Sequence, residues 1–403
     1  MANSPETLPK VVLKPRRAQP FFARHPWVFS GAVARVEGEP APGAEVALVT
    51  EHGEFVARGL YNPHSNIQVR LYGWEAAAPL DEAFWSSRLD EAIRLRRDVL
   101  RMIKPDSACR MVFSEADGLS GLVVDRYGDW LSVQMTSLAL ASRRELLTRL
   151  LNEKLTPAGI WLRTERGIRE AEGLEIADGL LCGAAPPRPL VIEEHGLKYG
   201  IDIVEGQKTG FFLDQRDNRR EFARYLRGGR VIDVCCYTAG FAMNAVRNGA
   251  AQEVLAIDVS ESALTTARAN AEQNGLAHAI RFEKSDAFKA LEVLRGAGER
   301  FDLVVLDPPK LARHARGVPE ALRGYHSLNR LAIEVLAEDG ILVTCSCTGY
   351  VERAMFENML AEAARSAKRR LQFLEVRGAS ADHPTSVTCE ETDYLKCYIS
   401  RVY

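Results

Sequence analysis

From about Gly228 the chain settles into a strict alternation of apolar runs and helical patterns, which constrains its fold more than any other feature. Strand candidates fall at Arg230–Cys235, Glu253–Asp258, Ile280–Lys284, Phe301–Asp307, Ile341–Ser346, Leu371–Val376 and Tyr394–Arg401, with helical periodicity between most of them. Ser260 stands where one helix needs an N-cap, and Asn274-Gly275 where it needs a stop. Such alternation implies a mostly parallel sheet with helices on both faces, an α/β architecture. In a doubly wound sheet ligands bind beyond the carboxyl ends of the strands, so the residues ending each strand carry the chemistry.

Those ends are acidic or unusual. The first strand runs into Asp233-Val-Cys-Cys-Tyr237-Thr-Ala-Gly240, the second ends in Asp258-Val259, the third leads to Ser285-Asp286, and the fourth ends in Asp307-Pro308-Pro309-Lys310. An acid at the end of the second strand suits a ribose diol, in nicotinamide and other nucleoside cofactors alike. The first turn discriminates between them. A pyrophosphate needs G-x-G-x-x-G, and here only Gly240 is glycine. S-adenosylmethionine carries no phosphate, and a looser turn can hold its amino acid end. Asp286 is suited to accept from an adenine amine. The ordinary reading of each acid, taken singly, is a helix cap.

Two prolines directly after an apolar strand fix the backbone, so Asp307 and its neighbouring carbonyls form a rigid grip for a planar base. An aromatic residue after the prolines suggests amine methylation; this chain has Lys310. The fifth strand ends in Cys345-Ser346-Cys347-Thr348-Gly349. Carbon 5 of cytosine becomes nucleophilic only when something adds to carbon 6, and a thiolate does this by covalent catalysis. Cys347 is the candidate nucleophile, and Asp307 and Lys310 are the other catalytic candidates. Its ordinary reading is a small core residue. A thiol also needs positive charge nearby, for which Lys310 and His383 are candidates. Neither Cys235-Cys236 nor Cys345-x-Cys347 has C-x-x-C spacing with a matching histidine pair, so no metal site is expected.

Upstream the grammar differs. To about Trp74 short strands (Val11–Leu13, Glu45–Val49, Glu54–Ala57, Ile67–Leu71) alternate with Gly, Pro and Asn turns, which indicates a small sheet or barrel. A long helix is expected from about Leu80 to Ile103, with strands at 121–125 and 130–134 and a helix from about Ser142 to Lys154. The proline-rich run 184–189 marks a domain edge, and His195-Gly196 the turn of a hairpin. For 403 residues this yields three domains, 1–76, 77–190 and 191–403, with 191–227 leading into the last.

At this point the residues resemble a known family. Asp307-Pro-Pro-Lys310, Gly324-Tyr325-His-Ser-Leu-Asn329, Ser346-Cys347-Thr348-Gly349, Asp382-His383-Pro384 and Tyr394-Leu-Lys396 look like bacterial large-subunit rRNA cytosine methyltransferases of the RlmI type. So do the block Gly206–Arg219 and the stretch Glu115-Ala-Asp-Gly118-Leu-Ser-Gly121-Leu. Arg24-His-Pro-Trp27-Val-Phe-Ser30-Gly31 and Ala57-Arg-Gly59-Leu-Tyr61-Asn-Pro63 resemble that family's PUA domain, a small RNA-binding pseudo-barrel. The resemblance implies a class I S-adenosylmethionine fold, Rossmann-like, with seven strands and an antiparallel last pair. An N-terminal PUA β pseudo-barrel and an α+β central domain would precede it. It further implies that Asp233, Tyr237, Gly240, Asp258, Val259, Ser285, Asp286 and Asp307 line the cofactor, with Asp214 to Arg219, Asp214 and Arg216 among them, close by. Cys347 matches the nucleophile position and Cys345 is the understudy. The family pattern has Tyr-Thr-Gly-Gly in the first turn, where this chain has Ala239.

The implied partner is RNA, specifically 23S rRNA, and a homodimer is compatible with the family. The net charge of −2 alone argues against nucleic acid. However, basic residues concentrate in 1–35, 208–230 and 310–330, and phosphates respond to the local field. No apolar stretch reaches the ~18 residues of a membrane span. Eight cysteines are too sparse for a disulfide scaffold, and the first residues lack a basic segment followed by an apolar core, so the expected location is the cytoplasm. Two alternatives stay open: methylation of a base amine, another RNA or a small molecule, and a non-catalytic RNA-binding assembly factor.

Overall fold

The computed structural model describes residues 8–206 and 209–403; Gln207 and Lys208 of the block Gly206–Arg219, and the first seven residues of the basic segment 1–35, lie outside them. The chain forms two units, Met1–Ile192 with Ile201–Phe211 and Ala381–Thr392, and Glu193–Gly200 with Phe212–Ser380 and Asp393–Tyr403.

The first unit holds two sheets. Strands β1 (Lys10–Leu13), β2 (Trp27–Phe29), β3 (Val33–Glu37), β4 (Glu45–Val49), β5 (Phe55–Tyr61) and β6 (Ile67–Gly73) pair in the order β2-β6-β5-β4-β1-β3. Their inward faces bury Val11, Val28, Val46, Leu48, Val69 and Leu71. Strands β7 (Ala108–Phe113), β8 (Leu122–Tyr127), β9 (Trp130–Met135), β10 (Gly159–Arg163) and β11 (Gly179–Gly183) form the second sheet, in the order β11-β10-β9-β8-β7. Charged residues join the two. Trp27 Nε1 donates to Glu115 Oε1 at 3.0 Å. Arg70 spans Glu115 and Glu172, at 3.3 Å each, and Ser65 Oγ donates to Glu172 at 2.6 Å. All are largely buried, where unpaired charge is costly.

The helix expected from Leu80 to Ile103 is shorter. It runs Glu82–Arg94, capped by Asp81, then widens into a single π turn at Leu95–Val99. The cause is Arg96, fully buried, whose guanidinium donates to Asp117 Oδ1 at 2.6 Å and to the Asp382 carbonyl at 2.8 Å. The turn throws the apolar pattern out of phase and leaves Val99 exposed. The helix expected over 142–154 spans Arg144–Leu155.

The second unit follows the α/β expectation. Strands β12 (Leu190–Glu194) and β13 (Leu197–Ile201) form the hairpin, turning at His195 (φ 52) and Gly196 (φ 77). Strands β14 (Arg230–Val234), β15 (Glu253–Asp258), β16 (Ile280–Lys284), β17 (Phe301–Leu306), β18 (Leu336–Ser346), β19 (Leu371–Arg377) and β20 (Lys396–Val402) build a seven-stranded sheet ordered β16-β15-β14-β17-β18-β20-β19. The first five strands pair in parallel, and β20 runs antiparallel to both β18 and β19. Ile232, Val234, Leu255, Val304 and Leu306 carry its core toward Tyr325, Leu328 and Phe356. The order reverses between β14 and β17, which puts a crevice at their carboxyl ends.

Candidate active site

The turn after β14 is held in an unusual shape. Cys235, Tyr237 and Ala239 all have positive φ, at 64°, 49° and 65°, a region that costs a non-glycine residue roughly 1–2 kcal/mol. Surrounding groups enforce it. Tyr237 N donates to Asp258 Oδ2 at 2.9 Å, and Ala242 N to Asp233 Oδ2 at 2.9 Å. The Tyr237 ring meets Phe212 edge-on, centroids 5.2 Å apart. Gly240 opens the helix Gly240–Gly249 with Arg219 behind it: an added Cβ would lie 2.5 Å from the arginine's Cδ. Arg219 is itself fixed by Glu194, at 2.9 and 2.8 Å, and by the Phe212 carbonyl at 2.7 Å. Arg219 closes the long motif, but nothing in the sequence ties it to Glu194 on the hairpin.

The acids take distinct places. Asp233 is fully buried, and burial pushes its carboxyl up to about 8, opposed by the Ala242 N–H and reinforced by Asp307 and Asp258. Asp258 accepts from Ser260 N through Oδ1 at 2.9 Å, so each of its oxygens receives one backbone donor. Ser285 N donates to the Asp258 carbonyl at 3.1 Å. Asp286 is an exposed N-cap accepting from Phe288 N and Lys289 N. Val259 is exposed beside it in sequence. Asp307 N reaches the Val234 carbonyl at 3.4 Å.

Asp214 and Arg216 are buried. Asp214 Oδ2 accepts from the Tyr394 hydroxyl, and Arg216 Nε lies 3.7 Å from Glu194. Two cations of the 208–230 segment, Arg216 and Arg219, are therefore turned inward onto Glu194 instead of forming a basic surface.

The second wall of the crevice joins the ends of β17 and β18. Cys347 Sγ lies 4.0 Å from the Pro308 carbonyl. Thr348 Oγ1 accepts from Leu311 N at 3.3 Å and pairs with the Tyr325 hydroxyl at 2.8 Å, which accepts from Ser346 Oγ at 3.1 Å. Cys347 is half-buried, whereas Cys345 is fully buried and faces Cys397 across the β18–β20 register. Lys310 is exposed. His383 belongs to the first unit, its Nδ1 3.0 Å from Asp382. Also in the first unit, Glu391 meets His25 Nε2 at 3.4 Å and Cys389 Sγ at 3.3 Å.

Comparison with known proteins agrees with the fold. A family model described as a PUA-like domain matches residues 11–74, and one described as an S-adenosylmethionine-dependent methyltransferase matches residues 129–389. Two solved structures share the fold: one from Streptococcus mutans, provisionally assigned as a SAM-dependent methyltransferase (TM-score 0.83, 18% identity, 97% of this chain and 99% of that one), and SMU.776, bound to SAH (TM-score 0.84, 19% identity, the same shares). Fold and family model together define a SAM-dependent methyltransferase with a PUA-like N-terminal domain. Among curated relatives, ribosomal RNA large subunit methyltransferase I of Escherichia coli O139:H28 is 40% identical over 394 residues, covering 98% of this chain and 99% of its own. That of Erwinia tasmaniensis is 39% identical with the same coverage. This chain belongs to that methyltransferase family.

The residues fit the cofactor. Asp233 Oδ1 is buried with no hydrogen-bond partner among the described residues. Burial pushes the Cys235 thiol up, and Asp258, Asp307, Asp233 and Asp286 push it further. An end of the sheet so rich in acceptors and negative charge suits a ligand carrying ammonium, sulfonium, diol and amine.

Proposed function

We propose that this protein methylates carbon 5 of a cytosine in 23S ribosomal RNA through a covalent bond to Cys347. The observation that carries the reading is the placement of the half-buried Cys347 thiol against the Pro308 carbonyl, at the mouth of the acid-lined crevice. The family, the PUA-like match and the exposed cations Lys310, Arg313, Arg316 and Arg323 on the segment after Pro309 support an RNA substrate. In this reading residues 1–76 capture RNA, 77–190 connect, and 191–403 carry the chemistry.

Asp233, Tyr237, Gly240, Asp258, Val259, Ser285, Asp286 and Asp307 surround the cofactor, with Asp214 and Arg216 buried behind them. When bound, S-adenosylmethionine supplies an electrophilic methyl group. The target base is extruded into the crevice, and the Asp307 carboxyl holds it at its N3 edge. The Cys347 thiolate adds to carbon 6, which makes carbon 5 a nucleophile toward the methyl group. Loss of the carbon 5 proton then lets the Cys347 sulfur leave. Lys310, exposed at the rim, adds positive charge for the RNA and the thiolate.

The test is methyl transfer from labelled cofactor to ribosomal RNA, with nucleoside mass spectrometry of the product. We expect 5-methylcytidine, and its loss in Cys347→Ala. Label on an exocyclic amine would favour the amine reading, and RNA binding without transfer would favour an assembly factor.

A further inference from the structure

The strand that follows Tyr394 begins with a buried cation. Lys396 is 2% exposed, and Nζ donates to the carbonyls of Thr348 and Val351 at 2.9 and 2.8 Å. An ammonium carries three N–H groups, and no third acceptor engages this one among the described residues. No carboxylate comes within 4.0 Å of Nζ among them either, although a buried charge ordinarily has an ion-pair partner. Both carbonyls belong to the loop that leaves Cys347. The same loop is pinned from its other side by Tyr325 and Leu311 through Thr348 Oγ1. Cys347 immediately precedes Thr348, and a thiolate there attracts this ammonium, as the Asp393 carboxylate also does.

We propose that Lys396 is a positioning residue for Cys347: its ammonium fixes the loop at the Thr348 and Val351 carbonyls and supplies the positive charge that stabilises the thiolate. This rests on Cys347 being the nucleophile. Burial lowers the lysine to about 8, while Asp393 and Cys347 pull it back up and Arg353 and Lys310 push it further down. The attraction is mutual, so the ammonium favours the ionised sulfur. Among the described residues, the charged and titratable groups around the pair include Asp307 and Lys310 after β17, Tyr325 on the helix Val318–Glu334, Arg353 on the helix Arg353–Ser366, and Asp393 before β20.

The experiment is alkylation of Cys347 by iodoacetamide across pH in the full-length protein, followed by peptide mass spectrometry. The variants are Lys396→Met and Lys396→Arg, and Cys182 serves as an internal reference. In the unmodified chain the Cys347 midpoint should fall below the ~8.5 of an ordinary thiol and below that of Cys182, whose thiol burial pushes up. Lys396→Met should raise the midpoint and slow the reaction at pH 7 about tenfold, and Lys396→Arg should restore it. A purely structural role would change the plateau rate at high pH in both variants and leave the midpoint in place, which overturns the proposal. A midpoint at or above 8.5 in the unmodified chain overturns it without any variant. Failure of the nucleophile reading shows up separately, as undiminished methyl transfer by Cys347→Ala.

Discussion

Gly240→Ala tests whether the cofactor turn rests on a rigid backing. The new Cβ would sit 2.5 Å from Arg219 Cδ and 3.3 Å from Nε, against the ~3.5–4.0 Å of carbon contacts. The arginine stem must therefore retreat by about 1 Å. Its guanidinium is buried and tied to Glu194 at 2.9 and 2.8 Å and to the Phe212 carbonyl at 2.7 Å, so such a retreat carries those bonds out of range. Overpacking costs about 1–3 kcal/mol, and weakening a charge-assisted bond adds about 1.5 kcal/mol or more. The expected loss is about 2–4 kcal/mol, or roughly 5–15 °C in Tm for a unit of this size. All five tryptophans (Trp27, Trp74, Trp85, Trp130 and Trp161) lie in the first unit. Unfolding of the second unit is therefore read from far-UV circular dichroism and tyrosine emission. Gly296→Ala is the control. That position ends a helix in the same unit, has open space around it, and should gain up to about 1 kcal/mol. If Gly240→Ala costs less than about 1 kcal/mol, Arg219 has slack and the backing argument fails.

Ala239→Gly relieves a positive φ of 65° but removes a buried methyl and loosens the unfolded chain, so its stability should shift by less than about 1 kcal/mol in urea titration. Asp233 favours its neutral form in the folded chain. Its contribution is thus complete below about pH 4 and is lost as pH rises through about 8. Asp233→Asn should flatten that part of the stability–pH curve of the cofactor-free protein, and an unchanged curve would place the titration elsewhere. Glu172→Ala strips Arg70, Ser65 and Asn62 of a buried acceptor, and should destabilise the first unit by about 3–5 kcal/mol, followed by tryptophan fluorescence.

The pattern of apolar runs locates the strands of the seven-stranded sheet closely, because parallel strands covered on both faces read as continuous Val/Ile/Leu stretches. Strand β18 starts earlier than expected, at Leu336, through residues too polar to look like strand. Strands β7, β10 and β11 escape notice because their burial neither alternates nor stays continuous. The acids at the strand ends and Cys347 stand out as residue types in sequence. Their backing does not. Glu194, on the hairpin, meets Arg219 only through the fold, and a lysine opening an edge-proximal strand gives no sign that its ammonium reaches the loop after Cys347. In the basic segment at 208–230 the sequence shows the charges but not which way they face: Arg216 and Arg219 are buried, whereas Arg220, Arg224 and Arg227 are exposed.

The placement of β20 has a consequence for how the chain is made. Strand β20 inserts between β18 and β19, so the last strand in sequence completes the middle of that half of the sheet. Until β20 has been made, β18 and β19 have no hydrogen-bonding partner at their facing edges, and the Thr348 and Val351 carbonyls await their lysine. A nascent chain in which β18 and β19 are made but β20 is not therefore carries two open strand edges, a state prone to mispairing. The same seven residues that close the sheet also bring the lysine that holds the Thr348 and Val351 carbonyls.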